Sequence, residues 1–355
     1  MKVNVRKQER SPTQTDLADQ FGVSRMTVSR ALRRSALVRA DLAEEIRKAA
    51  EEQGYSHEAG FSARLLRKGQ NGTPEVTNVI GVVTRDTETF AGPFQLRLLN
   101  GVKRGAEQCG DELIVAFFAE RTRLPRVVLR RQLDGLIWLS SRELEFFPAG
   151  YSAPMVGVFY TLPGADLVAV DDHGAMRPMG EYLARKGHRR VAFVGPDSDM
   201  AWARLAGLRV GLAGAGGLVD EHDVRMARNV MLPETVTPLV RAAMAHRQTL
   251  PPGERFTAMA AYNDFIAVTV LRCLQDEHGL RVPQDISVTG FDGLDLNAGA
   301  GPKLATVAMP LEDLGTEAAR LIHWRMEHRQ APARRVILPA PLVEGESVGE
   351  AGVEK

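Results

Sequence analysis

Two hydrophobic patterns divide this chain. Near the N-terminus apolar residues recur at helical spacing, whereas from Asn78 onward short apolar runs alternate with longer amphipathic stretches. In "DLADQFGVSRMTVSRAL", residues 16–32, Leu17, Ala18 and Phe21 share one helical face. Gly22 stops that helix, as glycine does where the chain must turn left-handed. Val23 supplies an apolar turn residue. Ser24 caps a second helix whose buried face is Val28, Ala31 and Leu32. A third helix is predicted over 41–53, with Ile46, Ala49 and Ala50 turned inward and Tyr55 closing a small core. Three short helices with a glycine turn between the first two predict a helix-turn-helix unit.

The remainder reads differently. "NVIGVV" (78–83), "LIVAF" (113–117), "GLIWL" (135–139), "MVGV" (155–158), "LVAV" (167–170), "VAFVG" (191–195), "AMAAY" (258–262) and "ISVTGF" (286–291) are strand candidates. Helical patterns lie between most of them, including 94–108, 173–186, 203–214, 263–277 and 311–328. Near-continuous apolar strands alternating with helices predict parallel sheets covered on both faces, and the length accommodates two. The expected fold is thus an all-α head followed by a two-lobed α/β core of doubly wound parallel sheets. The expected boundaries are a head over 1–56, a short helix and Gly/Asn/Pro linker over 57–77, a core over 78–349 and a tail over 350–355. Such cores take small ligands at the carboxyl ends of strands or between lobes. Thr84 and the aromatics Phe90, Phe94, Phe159, Tyr160 and Trp202 fall near those ends.

Charge sharpens the picture of the head. The chain is almost neutral at +1, but residues 1–70 hold 14 Lys and Arg against 9 Asp and Glu, leaving the body at −4. A basic head on a mildly acidic body points to an anionic partner, most obviously nucleic acid. The outer face of the second helix holds Arg25, Met26, Ser29 and Arg30, which would enter a DNA major groove. Thr13, Ser24 and Thr27 are short hydroxyl residues suited to phosphates, and Arg33 follows the same helix. A plain bundle with a solvated basic face is the competing description. The two cysteines, Cys109 and Cys273, read as helix core residues of a reducing compartment. With no secretory h-region and no long apolar run, a cytoplasmic protein without membrane spans is expected.

"TQTDLADQFGVSRMTVSRAL" closely resembles the N-terminal signature of the lactose/galactose repressor (LacI/GalR) family of bacterial transcription regulators. Leu17 stands for the usual Val and Phe21 for the usual Ala, while Arg25 and Met26 fall on the positions that the family uses to read bases. "ARLL", residues 63–66, resembles the family's hinge helix, which would make Ala63 and Leu66 minor-groove contacts. His57 stands for the usual proline there, and the spacing from Tyr55 is two residues longer. "GHRRVAFVGP", "RLAGLR", "AYNDFIAV", "ISVTGFDG" and "GPKLATVAMPLEDLGTEAARLI" resemble successive landmarks of the family's core. The resemblance implies effector contacts by Arg204, Asn263 and Asp292, with Thr84, Phe94, Phe159 and Trp202 in the same pocket. It implies a regulator, a repressor above all, that binds a palindromic operator as a homodimer and answers a small effector such as a sugar or sugar derivative. Helices 94–108 and 263–277 are the expected dimer surface. The tail "SVGEAGVEK" has no heptad helix, so a dimer rather than a tetramer is expected.

Other signals carry less. "GESVG" (345–349) fits a nucleophile elbow, but the helix that must follow the serine has no room. "GLAGAGG" (211–217) reads as a helix end and loop. Asp171, Asp172 and His173 resemble a base cluster but read better as a helix start with an N-cap. No cofactor, metal ion or catalytic residue is expected.

Overall fold

A computed structural model of the protein describes residues 14–32, 38–52, 78–85, 92–118, 125–129, 133–139, 153–228, 230, 232–296 and 301–352. The chain divides into two compact units, Met1–Val79 with Leu124–Asp134, and Ile80–Arg123 with Gly135–Lys355.

The first unit contains α1 (Gln14–Phe21), α2 (Arg25–Leu32), α3 (Ala40–Glu52) and the four-residue α5 (Arg126–Leu129). Leu17, Val28, Ala31 and Ile46 have no exposed surface, and Phe21, Val23 and Leu32 pack against them. The helical spacing of these residues therefore becomes one small core. Gly22 takes φ +60°, and its neighbour Val23 returns an N–H to the Ala18 carbonyl at 2.9 Å. That left-handed residue lets the chain reverse between α1 and α2 without the Cβ clash any other residue would meet.

The second unit has two lobes. In the first, β1 (Val79–Arg85), β2 (Glu112–Phe118), β3 (Gly135–Trp138), β4 (Met155–Val158), β5 (Asp166–Val170) and β11 (Arg335–Leu338) form a sheet in the order β11-β5-β4-β3-β1-β2. The pairs from β1–β3 to β5–β11 are parallel. Helices α4 (Pro93–Cys109) and α10 (Leu311–Glu327) pack along one another in this lobe. Strands β3 and β5 are buried along their whole length, which explains their unbroken apolar sequences; the edge strand β11 instead alternates exposed and half-buried residues.

In the second lobe β6 (Val191–Pro196), β7 (Val224–Ala227), β8 (Ala258–Ala261) and β9 (Ser287–Thr289) form a parallel sheet in the order β7-β6-β8-β9. Helices α6 (Asp172–Arg185) and α7 (Asp199–Ala213) pair, as do α8 (Pro233–Thr249) and α9 (Asp264–Asp276). The strands β10 (Thr306–Val307) and β12 (Leu342–Val343) make a separate antiparallel ribbon. The chain passes from first lobe to second between β5 and α6, back between β10 and α10, and to the second lobe once more between β11 and β12.

Most predicted elements appear within a few residues of their expected bounds. The prominent addition is α8, which opens on Pro233 and carries Pro238 inside it. The first proline suits a helix start, where no N–H bond is lost, whereas the second lies past the first turn and leaves the Glu234 carbonyl without its helical donor. Ser347, of the apparent nucleophile elbow, is fully buried; its Oγ donates to the Val288 carbonyl at 2.6 Å and accepts from the Ala305 N–H at 2.9 Å. It is a structural tie for the C-terminal segment.

Candidate functional site

In the head, Ser24 does what its position predicts. Its Oγ accepts the Thr27 N–H at 3.1 Å and lies 2.9 Å from the Thr27 hydroxyl, so both residues close the first turn of α2. Beyond that turn Met26 is 61% exposed and Arg30 is exposed, opposite the buried Val28 and Ala31. A large thioether left in water on a helix whose other face is packed is available to a partner. Arg25 and Ser29 lie on the same helix, but their side chains fall outside the described residues, as do Thr13, Arg33, Tyr55, the expected hinge residues Ala63 and Leu66, and Phe90.

In the core the candidates gather at the carboxyl ends of parallel strands. Thr84, at the end of β1, is buried. Phe159 follows β4 and meets Phe94, in the first turn of α4, with ring centroids 5.7 Å apart. Arg204 lies on α7 after β6, Tyr262 and Asn263 follow β8, and Asp292 follows β9. This is where open α/β sheets expose backbone groups and loops to ligands.

Arg204 organises its neighbourhood. It is 4% exposed; its Nε donates to Asp172 Oδ1 at 2.7 Å and its Nη1 to the Tyr262 carbonyl at 2.7 Å. The guanidinium carbon lies 3.5 Å from the Phe291 ring centroid and 4.3 Å from that of Tyr262. A planar cation stacked on two rings can be buried because hydrogen bonds and π-faces replace its water. The start of α6 is close enough for this because Gly207, one turn along α7, leaves room: a Cβ there would lie 2.1 Å from the His173 carbonyl oxygen.

Asp292 is 3% exposed and has φ 117°, a region that side-chain-bearing residues rarely enter. Its N–H donates to the Val307 carbonyl at 2.9 Å and its carbonyl accepts from the Met309 N–H, so the returning chain holds it there. Burial pushes its carboxyl well above the usual range, with Asp264 and Asp172 adding repulsion against the pull of Arg204. Asp264 is likewise buried and is pushed up to about 7 by desolvation, despite donors from Leu294 N–H and the Thr306 hydroxyl at 2.7 Å each. Phe159, at φ 69°, is another described residue outside glycine with positive φ. Strained backbone of this kind persists where surrounding contacts over-determine it, and functional sites are enriched in it.

The structure therefore brings Arg204 and Asp292 together, and Phe94 with Phe159. Tyr160, next to Phe159, lies near enough to Tyr262 to help burial hold that phenol protonated. Asn263 spends its Oδ1 capping α9 through the Ile266 N–H at 3.0 Å. Trp202 is not buried with them: it is 47% exposed, with Nε1 donating to Asp197. Two members were not picked out by the sequence reading. Asp171 is the cap of α6, as expected, through the Gly174 N–H, but Asp172 is the partner of Arg204. Asp264 is the other, and its only sequence signal is adjacency to Asn263. Both look like ordinary first-turn acids until the fold closes around them.

Comparison with known proteins follows the same division. Residues 13–58 match the family described as bacterial regulatory proteins, lacI family, and residues 181–348 match the periplasmic binding protein-like domain. The HTH-type transcriptional regulator CelR of Thermobifida fusca is 27% identical over 95% of this chain and 98% of its own length. The HTH-type transcriptional repressor CytR of Escherichia coli K12 is 26% identical over 96% of this chain and 97% of its own. A solved complex of CelR with cellobiose superposes with a TM-score of 0.67 at 25% identity, covering 95% of this chain and 99% of that one.

Proposed function

The chain belongs to the LacI family of bacterial regulatory proteins, and on that premise we propose that it is a sequence-specific DNA-binding transcription regulator, a repressor, governed by a small effector. The observation that carries the reading is the outer face of α2, where Met26 and Arg30 stand exposed on a helix whose other side builds the head core. Arg30, with Arg25 and Ser29 of the same helix, reads base edges, and Met26 contacts thymine methyl groups. Ala63 and Leu66 of the hinge contact the minor groove. One such helix reads one half-site, so a palindromic operator is bound by a dimer. Leu96 of α4 and Ile114 and Phe117 of β2, each exposed, supply apolar surface for that dimer.

The effector is a sugar or sugar derivative, bound by Arg204, Asn263 and Asp292 with Thr84, Phe94, Phe159 and Trp202 around it. Arg204 is already paired with Asp172, and burial pushes the Asp292 carboxyl well above the usual range. Together they offer hydrogen-bond donors and acceptors with the arginine's charge already balanced by Asp172, which suits hydroxyl groups. Effector and operator are then coupled by linkage: whichever state of the core the effector prefers, the operator affinity shifts by the same factor. The protein acts by binding and not by turnover, in keeping with relatives that are regulators. No helix among the described residues is long and apolar enough to cross a membrane, and a regulator of this kind works in the cytoplasm.

The test is recovery and sequencing of genomic fragments retained by the purified protein at physiological salt. A shared palindrome is expected. A panel of sugars should then release or tighten that complex, and Asp292→Ala should lose the response while keeping operator affinity. Retention with no common motif would overturn sequence-specific reading.

A further inference from the structure

Cys109, Asp111 and His323 are assembled from two helices of the first lobe and the connection that follows one of them. Cys109 ends α4. Gly110 then takes φ 77°, and the Asp111 N–H returns to the Ala106 carbonyl at 2.9 Å, so the carboxylate is folded back beside the helix it has just left. His323 comes from α10, which packs along α4. Its Nδ1 lies 2.9 Å from Asp111 Oδ2. One ligand atom from each of the three residues lies within 4.8 Å of the others. The Asp111 side chain has no exposure, the His323 side chain keeps 29%, and Cys109 is half-buried. The group is therefore anchored on the inside and reachable from the outside.

We propose that Cys109 Sγ, Asp111 Oδ2 and His323 Nδ1 form a binding site for one divalent cation of the zinc class. A sulfur, a nitrogen and an oxygen are the donor set that such a borderline ion accepts, and three protein ligands leave its fourth position to water. Ions of this class hold their ligands at about 2.0–2.3 Å, which puts tetrahedrally arranged ligand atoms roughly 3.3–3.7 Å apart. The His323–Asp111 separation of 2.9 Å is shorter than that range and no pair is further apart than 4.8 Å, so side-chain rotations suffice. On binding, the Cys109 thiol and the His323 Nδ1–H that bonds Asp111 give up their protons, the first to solvent and the second to solvent or, by a tautomer change, to Nε2, so that the Nδ1 lone pair faces the ion. The His323–Asp111 hydrogen bond is exchanged for two metal bonds. Thiolate and carboxylate together neutralise the ion. The neighbouring Arg320 is engaged by Glu317 at 2.7 Å and Gln108 at 2.9 Å. An ion here would tie the end of α4 and the start of β2 to α10.

Cys273, Glu277 and His278 form a second group of this composition at the end of α9. There Glu277 gives both carboxylate oxygens to Arg241, at 2.6 and 2.8 Å, so an ion would have to break a bidentate pair first. The first group is the better site.

The experiment uses the full chain, stripped with chelator and titrated with cobalt(II) alone, then with zinc alone. Wild type and Cys273→Ser should each bind one equivalent of cobalt with a thiolate charge-transfer band that zinc abolishes. Cys109→Ser should lose the band, and His323→Gln and Asp111→Asn should each weaken binding by about a hundredfold. Circular dichroism of the metal-free variants shows which of them fold, and any one folded ligand variant is enough to decide. Absence of the band, its loss in Cys273→Ser instead of Cys109→Ser, or unchanged affinity in a folded ligand variant would overturn the proposal.

Discussion

Replacing Arg204 by Met tests the buried cluster most directly, because the substitution keeps an unbranched apolar stem and deletes the guanidinium with its charge. Wild type holds the Nε–Asp172 bond, the Nη1–Tyr262 carbonyl bond and the stacking on Phe291 and Tyr262. Met keeps the apolar stem but gives up the guanidinium stacking on the rings. It leaves the Asp172 carboxylate, whose side chain is 17% exposed, without its cation, and the Tyr262 carbonyl without that donor. Breaking a buried pair from one side costs about 3–5 kcal/mol. Asp172→Asn leaves the cation its rings and the Tyr262 carbonyl, so a smaller loss of about 1–3 kcal/mol is expected. The double variant has no charge to strand, and its loss should fall short of the sum of the singles by about 2 kcal/mol. Urea unfolding of the wild type and the three variants, followed by tryptophan fluorescence, measures the coupling. If the singles add to within about 0.5 kcal/mol, the two side chains do not act as a pair and the charge balance inferred for Arg204 fails.

Other expectations rest on single features. Asp264 titrates near 7 in the folded chain against an ordinary 3.8, so the folded state binds the extra proton between those values and its stability falls as pH rises through that window. The shift corresponds to about 4 kcal/mol, and Asp264→Asn should remove that slope from the difference in urea midpoint between acid and pH 8; identical pH profiles for variant and wild type would contradict it. Gly207→Ala would place a Cβ against the His173 carbonyl, force α7 from α6 and cost about 1–3 kcal/mol together with effector response; a wild-type melting temperature would show that the two helices give way freely.

Much of this protein could be read along the chain because its determinants are local. Leu17, Val28 and Ile46 announce their burial by helical spacing, Gly22 and Ser24 mark a turn and a cap within a few residues of each other, and β3 and β5 are apolar throughout because both their faces are covered. Ordering of these elements also carried the two-lobed reading, since parallel strands need helices between them. The site was legible where its residues fall in recognisable runs, as with Arg204 and Asp292. Other features were decided only by tertiary structure. Asp172 and Asp264 are first-turn acids in sequence, and become a counter-ion and a raised carboxyl only when Arg204, Thr306 and the Leu294 N–H arrive from distant segments. The positive φ of Asp292 is imposed by bonds to Val307 and Met309. Cys109 and His323 have no spacing to connect them; the packing of α4 on α10 puts them beside Asp111. Helical and strand periods arise from repulsions and bonds between near neighbours, whereas charge burial and ligand geometry depend on what the completed fold removes from water.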